Sequence, residues 1–217
     1  MLDYLYNTFI VPLTIIFPFI YAYRNYQYLN RALKILLAFL IFSAIANAIG
    51  TVIARGFHMR TTFMVHIYTP FEFAFLSFFF AEFYHKPAKN IIYAITAVFV
   101  VFCLYNSLFI QKAMIINSYS RSVDAIILII YSMLYFLRSS NDIDARWKLQ
   151  VNNWMVTGIL LYYSSALFMF IFFNYLLLSD EMSYVIWNIH NTILIVEYIL
   201  FAIGYSKCRF PQTISIS

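Results

Sequence analysis

Six ionisable side chains fall in stretches that are otherwise apolar: His66, Glu72, Arg121, Asp124, His190 and Glu197. Such groups are costly in hydrocarbon unless they face a partner or a wet cavity, which makes each a candidate for function. Neither Glu72 nor Glu197 has a Lys or Arg in its own apolar stretch, so each carboxyl has to be protonated, hydrogen-bonded or paired with another helix. Arg121 and Asp124 stand three residues apart, close enough on a helix to neutralise each other. The sharper reading of Arg121 is a guanidinium that binds an anionic group in a pocket.

The same set contains the nitrogen and oxygen donors that hold zinc. His66, His190, Glu72 and Glu197 are the residues that would serve, and three of them with an activated water would suffice to hydrolyse a lipid ester or amide. No His-x-x-x-His or His-Glu-x-x-His spacing joins them, so no metal is assigned.

Helical periodicity sorts these residues onto faces. His190 and Glu197 are seven apart, about 700° of rotation, and share a face with Leu194. Arg121 and Asp124 share one with Asn117, Leu128, Tyr131 and Tyr135. His66 and Glu72 are six apart, about 240° out of phase, and align only if Pro70 kinks the helix between them. Asn191 lies beside His190. Asn47 belongs to a stripe with Ser43, Gly50 and Ala54, small enough to let helices approach closely in lipid, and could also reach the cavity. The expected site is one ligand or proton pocket drawing on Glu72, Asp124, Arg121, His190, Asn191, Glu197, His66 and Asn47.

Seven apolar blocks must position these groups, at about 2–21, 34–53, 63–84, 91–110, 117–137, 154–178 and 184–205. Each has roughly the 20 residues needed to cross a bilayer core. The expected fold is an all-α, polytopic bundle of seven transmembrane helices forming a single domain over residues 1–217. Composition agrees: 64% of residues are apolar, 11% are charged and mean hydropathy is +0.79. A soluble domain carries roughly a quarter charged residues. With 24 Phe and 19 Tyr, the interior should be packed largely by rings.

Orientation follows from Lys and Arg in the short connections, which are enriched on the cytoplasmic side. Arg24, Arg31, Lys34, Lys86, Lys89, Arg138, Arg146, Lys148, Lys207 and Arg209 fall on one set of ends, and Arg55, Arg60 and Lys112 on the other. Ten against three puts the N-terminus outside and the C-terminus in the cytoplasm. His66, Arg121, Asp124 and His190 then lie in the outer half and Glu72 and Glu197 nearer the midplane. Cys103 and Cys208 fall near opposite faces, too far apart for a disulfide. No basic segment precedes the first apolar block, which reads as a retained helix rather than a cleavable signal.

The longest connection, Arg138 to Asn153, holds Ser140, Asn141, Asp142 and Asp144 ahead of Arg146 and Lys148, the order of an N-cap and a first helical turn. The sixth helix is expected to begin there. No connection is long enough for a soluble domain, so any cytoplasmic output needs a separate signalling partner. The net charge of +5 is scattered in these connections rather than gathered into a nucleic-acid patch, so no nucleic acid is expected. A shift of 124 residues carries His66 onto His190 and the second block close to the sixth, which raises an internal repeat.

The segments Tyr68-Thr69-Pro70-Phe71-Glu72-Phe73 and Trp187-Asn188-Ile189-His190-Asn191, with Glu197-Tyr198 and Ala202-Ile203-Gly204, resemble stretches in small uncharacterised seven-helix membrane proteins of bacteria. The resemblance covers the third and seventh blocks and implies a bacterial inner membrane, but no activity. Retinal is not expected, because no lysine lies in a helix core to hold it. The leading reading is a sensor or receptor-like module with a polar pocket in the outer half of the bundle. A small proton-coupled transporter and an intramembrane zinc-dependent lipid hydrolase are the alternatives, and the balance is against an enzyme.

Overall fold

The computed structural model describes residues 6–112, 117–139, 147–176 and 180–209, and helix is the regular structure throughout these residues, with no strand. Seven helices follow in chain order: α1 Val11–Arg24, α2 Arg31–Gly56, α3 Thr62–Ala81, α4 Lys86–Tyr105, α5 Ser118–Ser139, α6 Val151–Leu176 and α7 Asp180–Ser206. Six of them, α2 to α7, are long and apolar enough to cross a membrane, which makes the chain compatible with a multi-pass membrane protein.

The first helix departs from the expectation of seven spans. A π-helical turn, Tyr6–Ile10, leads into α1, which is interrupted around Thr14, where the Thr14 hydroxyl donates to the Val11 carbonyl at 2.6 Å. Pro12 and Pro18 supply no N–H to the helical ladder. Among the described residues Val11–Arg24 reach about 21 Å, short of a hydrocarbon core of about 30 Å. At the other helices the expected bounds hold to within a few residues. The largest shifts at the starts are those of α4 and α7, which begin at Lys86 and Asp180 rather than 91 and 184.

Local chemistry accounts for these starts and stops. The Asn30 side chain caps α2 by accepting from the Leu33 N–H at 3.0 Å, and Pro87 lies in the first turn of α4, where its missing donor costs nothing. His58 closes the far end of α2 in the left-handed region, φ 52°. Pro70 lies inside α3, and the hydroxyl of Thr69 donates to the Val65 carbonyl at 2.8 Å beside the break. The acidic run Ser140 to Asp144, with Arg146, lies outside the described residues. Beyond it come a 3-10 turn at Trp147–Leu149 and then α6.

The chain divides into two compact units, residues 30–124 and residues 1–29 with 125–217. In the first, α2 packs on α3 and α3 on α4. Its interior is ring-rich: Phe73 and Phe99 lie 4.1 Å apart between centroids, and Phe42 stacks on Tyr68 at 5.6 Å. In the second, α6 packs along α7 and α1 along α7. Gly158 and Gly204 set the α6–α7 approach. A Cβ at Gly158 would lie 2.9 Å from Cε1 of Phe201, and one at Gly204 2.8 Å from Cε of Met155. The division ends the first unit at Asp124, and the 124-residue shift carries the α2–α3 pair of one unit approximately onto the α6–α7 pair of the other.

Candidate functional site

Within the first unit, Arg121 on the opening turns of α5 reaches Glu72 on α3, its Nη1 donating to Oε2 of the carboxylate. The same Nη1 lies 3.6 Å from Oδ2 of Asp124, one turn along. All three side chains are buried. The expected Arg121–Asp124 pair is therefore the looser half of a three-residue cluster whose closer contact runs between helices. Two carboxyl groups share one guanidinium. Neither Asp124 oxygen has a hydrogen-bond partner among the described residues, although Asp124 is fully buried.

Beside this cluster the end of α4 winds into a second π-helical turn, Asn106–Ile110, which turns polar groups toward the start of α5. The Asn106 Nδ2 faces three acceptors, Gln111 Oε1 at 3.2 Å, Asn117 Oδ1 at 3.0 Å and Ser120 Oγ at 2.9 Å. An amide nitrogen has two hydrogens, so the three contacts compete. Gln111 adds a bond from Nε2 to Ser118 Oγ at 2.9 Å and accepts from the Tyr119 N–H at 3.1 Å. Asn106, Asn117 and Ser120 are completely buried.

His66 is buried near this turn, with Nδ1 2.8 Å from the Ser107 hydroxyl. Glu72 contacts Arg121 instead, so the two side chains that needed a kink at Pro70 to align make these contacts separately. Asn47 lies on an exposed face of α2, its carbonyl accepting from the Thr51 hydroxyl at 2.9 Å, and Ser43 rather than Asn47 turns inward to meet the Tyr68 hydroxyl at 2.7 Å.

In the second unit, His190 and Glu197 are both buried on α7. The His190 ring sits 5.0 Å from that of Tyr162 and 6.1 Å from that of Trp187. Glu197 faces the close α6–α7 contact, its Cγ 3.4 Å from where a Gly158 Cβ would stand. It has no hydrogen bond or ion pair among the described residues. Asn191 belongs to an amide clamp: Asn7 Nδ2 donates to Asn188 Oδ1 at 2.8 Å, and Asn191 Nδ2 donates to Asn7 Oδ1 at 2.7 Å. The adjacent Tyr6 and Thr192 hydroxyls are 2.7 Å apart.

The eight expected residues thus fall into distinct sets. Glu72, Arg121 and Asp124 form one cluster, His66 has a separate hydroxyl partner in the same unit, Asn47 of that unit is exposed, and His190, Asn191 and Glu197 belong to the other unit. No three His, Cys, Asp or Glu side chains among the described residues gather as metal ligands. Periodicity overlooked the Asn106 network and the Asn7 clamp because both use residues at π turns, where a 3.6-residue spacing no longer reports the face. The weak separation of the fourth and fifth blocks, with Asn106 and Asn117 at their facing ends and Gln111 between them, was the available signal. Comparison with family models, curated proteins and solved structures finds no match for this chain.

Proposed function

We propose that the protein is a receptor-like membrane sensor whose responsive element is the Glu72–Arg121–Asp124 cluster and the Asn106 network beside it. The observation that carries this reading is the state of Asp124, a fully buried carboxyl with neither oxygen hydrogen-bonded among the described residues, beside a guanidinium already engaged by Glu72. A buried acceptor left without a hydrogen bond costs about 1–3 kcal/mol, which a proton or the cationic head of a small ligand would recover. Arg121 has carboxyls on two sides, so the anion-binding reading gives way to a cationic or protonic one. The charged and titratable neighbours of Asp124 among the described residues include Glu72, Arg121 and Cys103.

In this reading the starts of α2, α4 and α6 face the cytoplasm, the cluster lies in the outer half of a bacterial inner membrane, and the change passes through α5 to a membrane or cytoplasmic partner. The test is hydrogen exchange of α5 amides in full-length protein in nanodiscs, at acid and neutral pH and with small amines. The expected result is altered protection over 118–139 that vanishes in Asp124→Asn. Identical protection of the wild type under every condition overturns the reading.

Glu197 supports a second reading, proton-coupled transport, as a buried carboxyl without an ion pair among the described residues. Uptake driven by a proton gradient in proteoliposomes and lost in Glu197→Gln would establish it over sensing. The zinc-hydrolase reading draws no support from the partners of His66 and Glu72.

A further inference from the structure

We infer that a monovalent metal cation completes the Glu72–Arg121–Asp124 cluster, held between the Asp124 carboxylate and the amide oxygen of Asn106. The inference rests on the reading of this cluster as the responsive element and names what occupies it. Charge sets the class of ion. Glu72 and Asp124 bring two formal negative charges and Arg121 one positive, and all three side chains are buried. One negative charge is left over where water is excluded. A monovalent cation cancels it, whereas a divalent one would leave an excess of one positive charge in the same place.

The unpartnered atoms set the ligand chemistry. Both Asp124 oxygens and Oδ1 of Asn106 lack a hydrogen bond among the described residues, and both side chains are completely buried. Ser120 links the two. Its Oγ lies 2.9 Å from Asn106 Nδ2, and Asp124 follows it by four residues on α5. From the α4 side, Cys103 stands three residues before Asn106 and neighbours both Ser120 and Asp124. Asn106 and Asp124 are thus separated by about one helical turn, roughly 5.4 Å, and a hard cation with oxygen on both sides at about 2.3–2.6 Å spans nearly that distance. A proton on Asp124 would remove the charge but leave the Asn106 oxygen unpartnered. A cation meets both, because carboxylate and amide oxygens are alike ligands for hard ions. Asn117 Nδ2, also buried and without a hydrogen bond, is a donor and suits the oxygen of a water on the ion.

The test is equilibrium binding of radioactive sodium to the purified full chain in neutral detergent, with ionic strength held constant by tetraethylammonium chloride. Hydrogen exchange over 118–139 is followed in the same buffers. The expected result is saturable binding of a single sodium per chain, lost in Asp124→Asn and about tenfold weaker in Asn106→Ala, which removes one oxygen ligand. Glu82→Gln, which alters an acid of the same unit paired with Lys89 outside the cluster, should bind as the wild type does. Absence of saturable sodium binding by the wild type overturns the inference, as does full retention in Asp124→Asn. Displacement of sodium by calcium at a far lower concentration overturns the monovalent assignment. Protection of α5 that responds to pH or amines without any sodium binding removes the ion and leaves the sensing reading standing. Sodium binding that is lost in Asp124→Asn, with protection unchanged under every condition, keeps the ion and removes the sensing reading.

Discussion

At the scale of single residues, the Glu72–Arg121 contact is the feature with the largest energetic consequence. Breaking a buried pair from one side leaves an uncompensated charge and costs about 3–5 kcal/mol, whereas removing both charges need not. Arg121→Gln should therefore lower the unfolding midpoint more than the Glu72→Gln/Arg121→Gln double variant does, as scanning fluorimetry in detergent would show. Equal or greater loss in the double variant would mean the two groups act separately. Cys208 offers a pH-dependent check at the end of the chain beyond α7. Burial pushes its thiol up to about 12, and the thiolate is the reactive form. In a Cys103→Ser background, maleimide should label native protein slowly at neutral pH, faster as pH rises toward that value, and rapidly once the chain is denatured.

At the scale of elements, the helices were readable because each apolar block is long and bounded by turn or charge signals. The exceptions have local causes. Arg31 and Lys89 look like loop residues by hydropathy, yet the starts of α2 and α4 tolerate them because Glu82 is in contact with both. The contact between α6 and α7 depends on two glycines with different neighbours, which gives an ordered prediction. Gly158→Ala must move the ring of buried Phe201, while Gly204→Ala meets the flexible end of Met155, along with Trp154 Cβ at 3.3 Å. Overpacking costs about 1–3 kcal/mol and exchanging Gly for Ala in a helix returns about 1 kcal/mol. Thermal unfolding should show a clear loss for Gly158→Ala and a small change of either sign for Gly204→Ala.

At the scale of the whole molecule, ten bases against three predict the orientation, and cysteine labelling can read it directly. With Cys103 and Cys208 replaced by Ser, Arg60→Cys should react with an impermeant maleimide in intact cells, and Lys34→Cys only after permeabilisation. The reverse pattern would invert the chain. The division into two units also gives the candidate residues their grouping. Glu72, Arg121, Asp124 and the Asn106 network belong to one unit, and His190, Glu197 and the Asn7 clamp to the other.

The amino-acid sequence alone determined the class of the protein, the number and approximate bounds of its helices, and the polar stripe on α5. Asn117, Arg121, Asp124, Leu128 and Tyr131 all prove buried. These properties follow from hydropathy and helical period, which act over one or two turns and need no knowledge of neighbours. Tertiary structure decided the partners. Glu72 and Arg121 are 49 residues apart, and Asn7 and Asn191 184 apart, separations that no local rule connects. The Glu72, Arg121 and Asp124 that first stood out as isolated costs in hydrocarbon are resolved by α3 and the start of α5 into one cluster with two acids and one base. That imbalance, invisible in any one helix, is what the proposed function rests on.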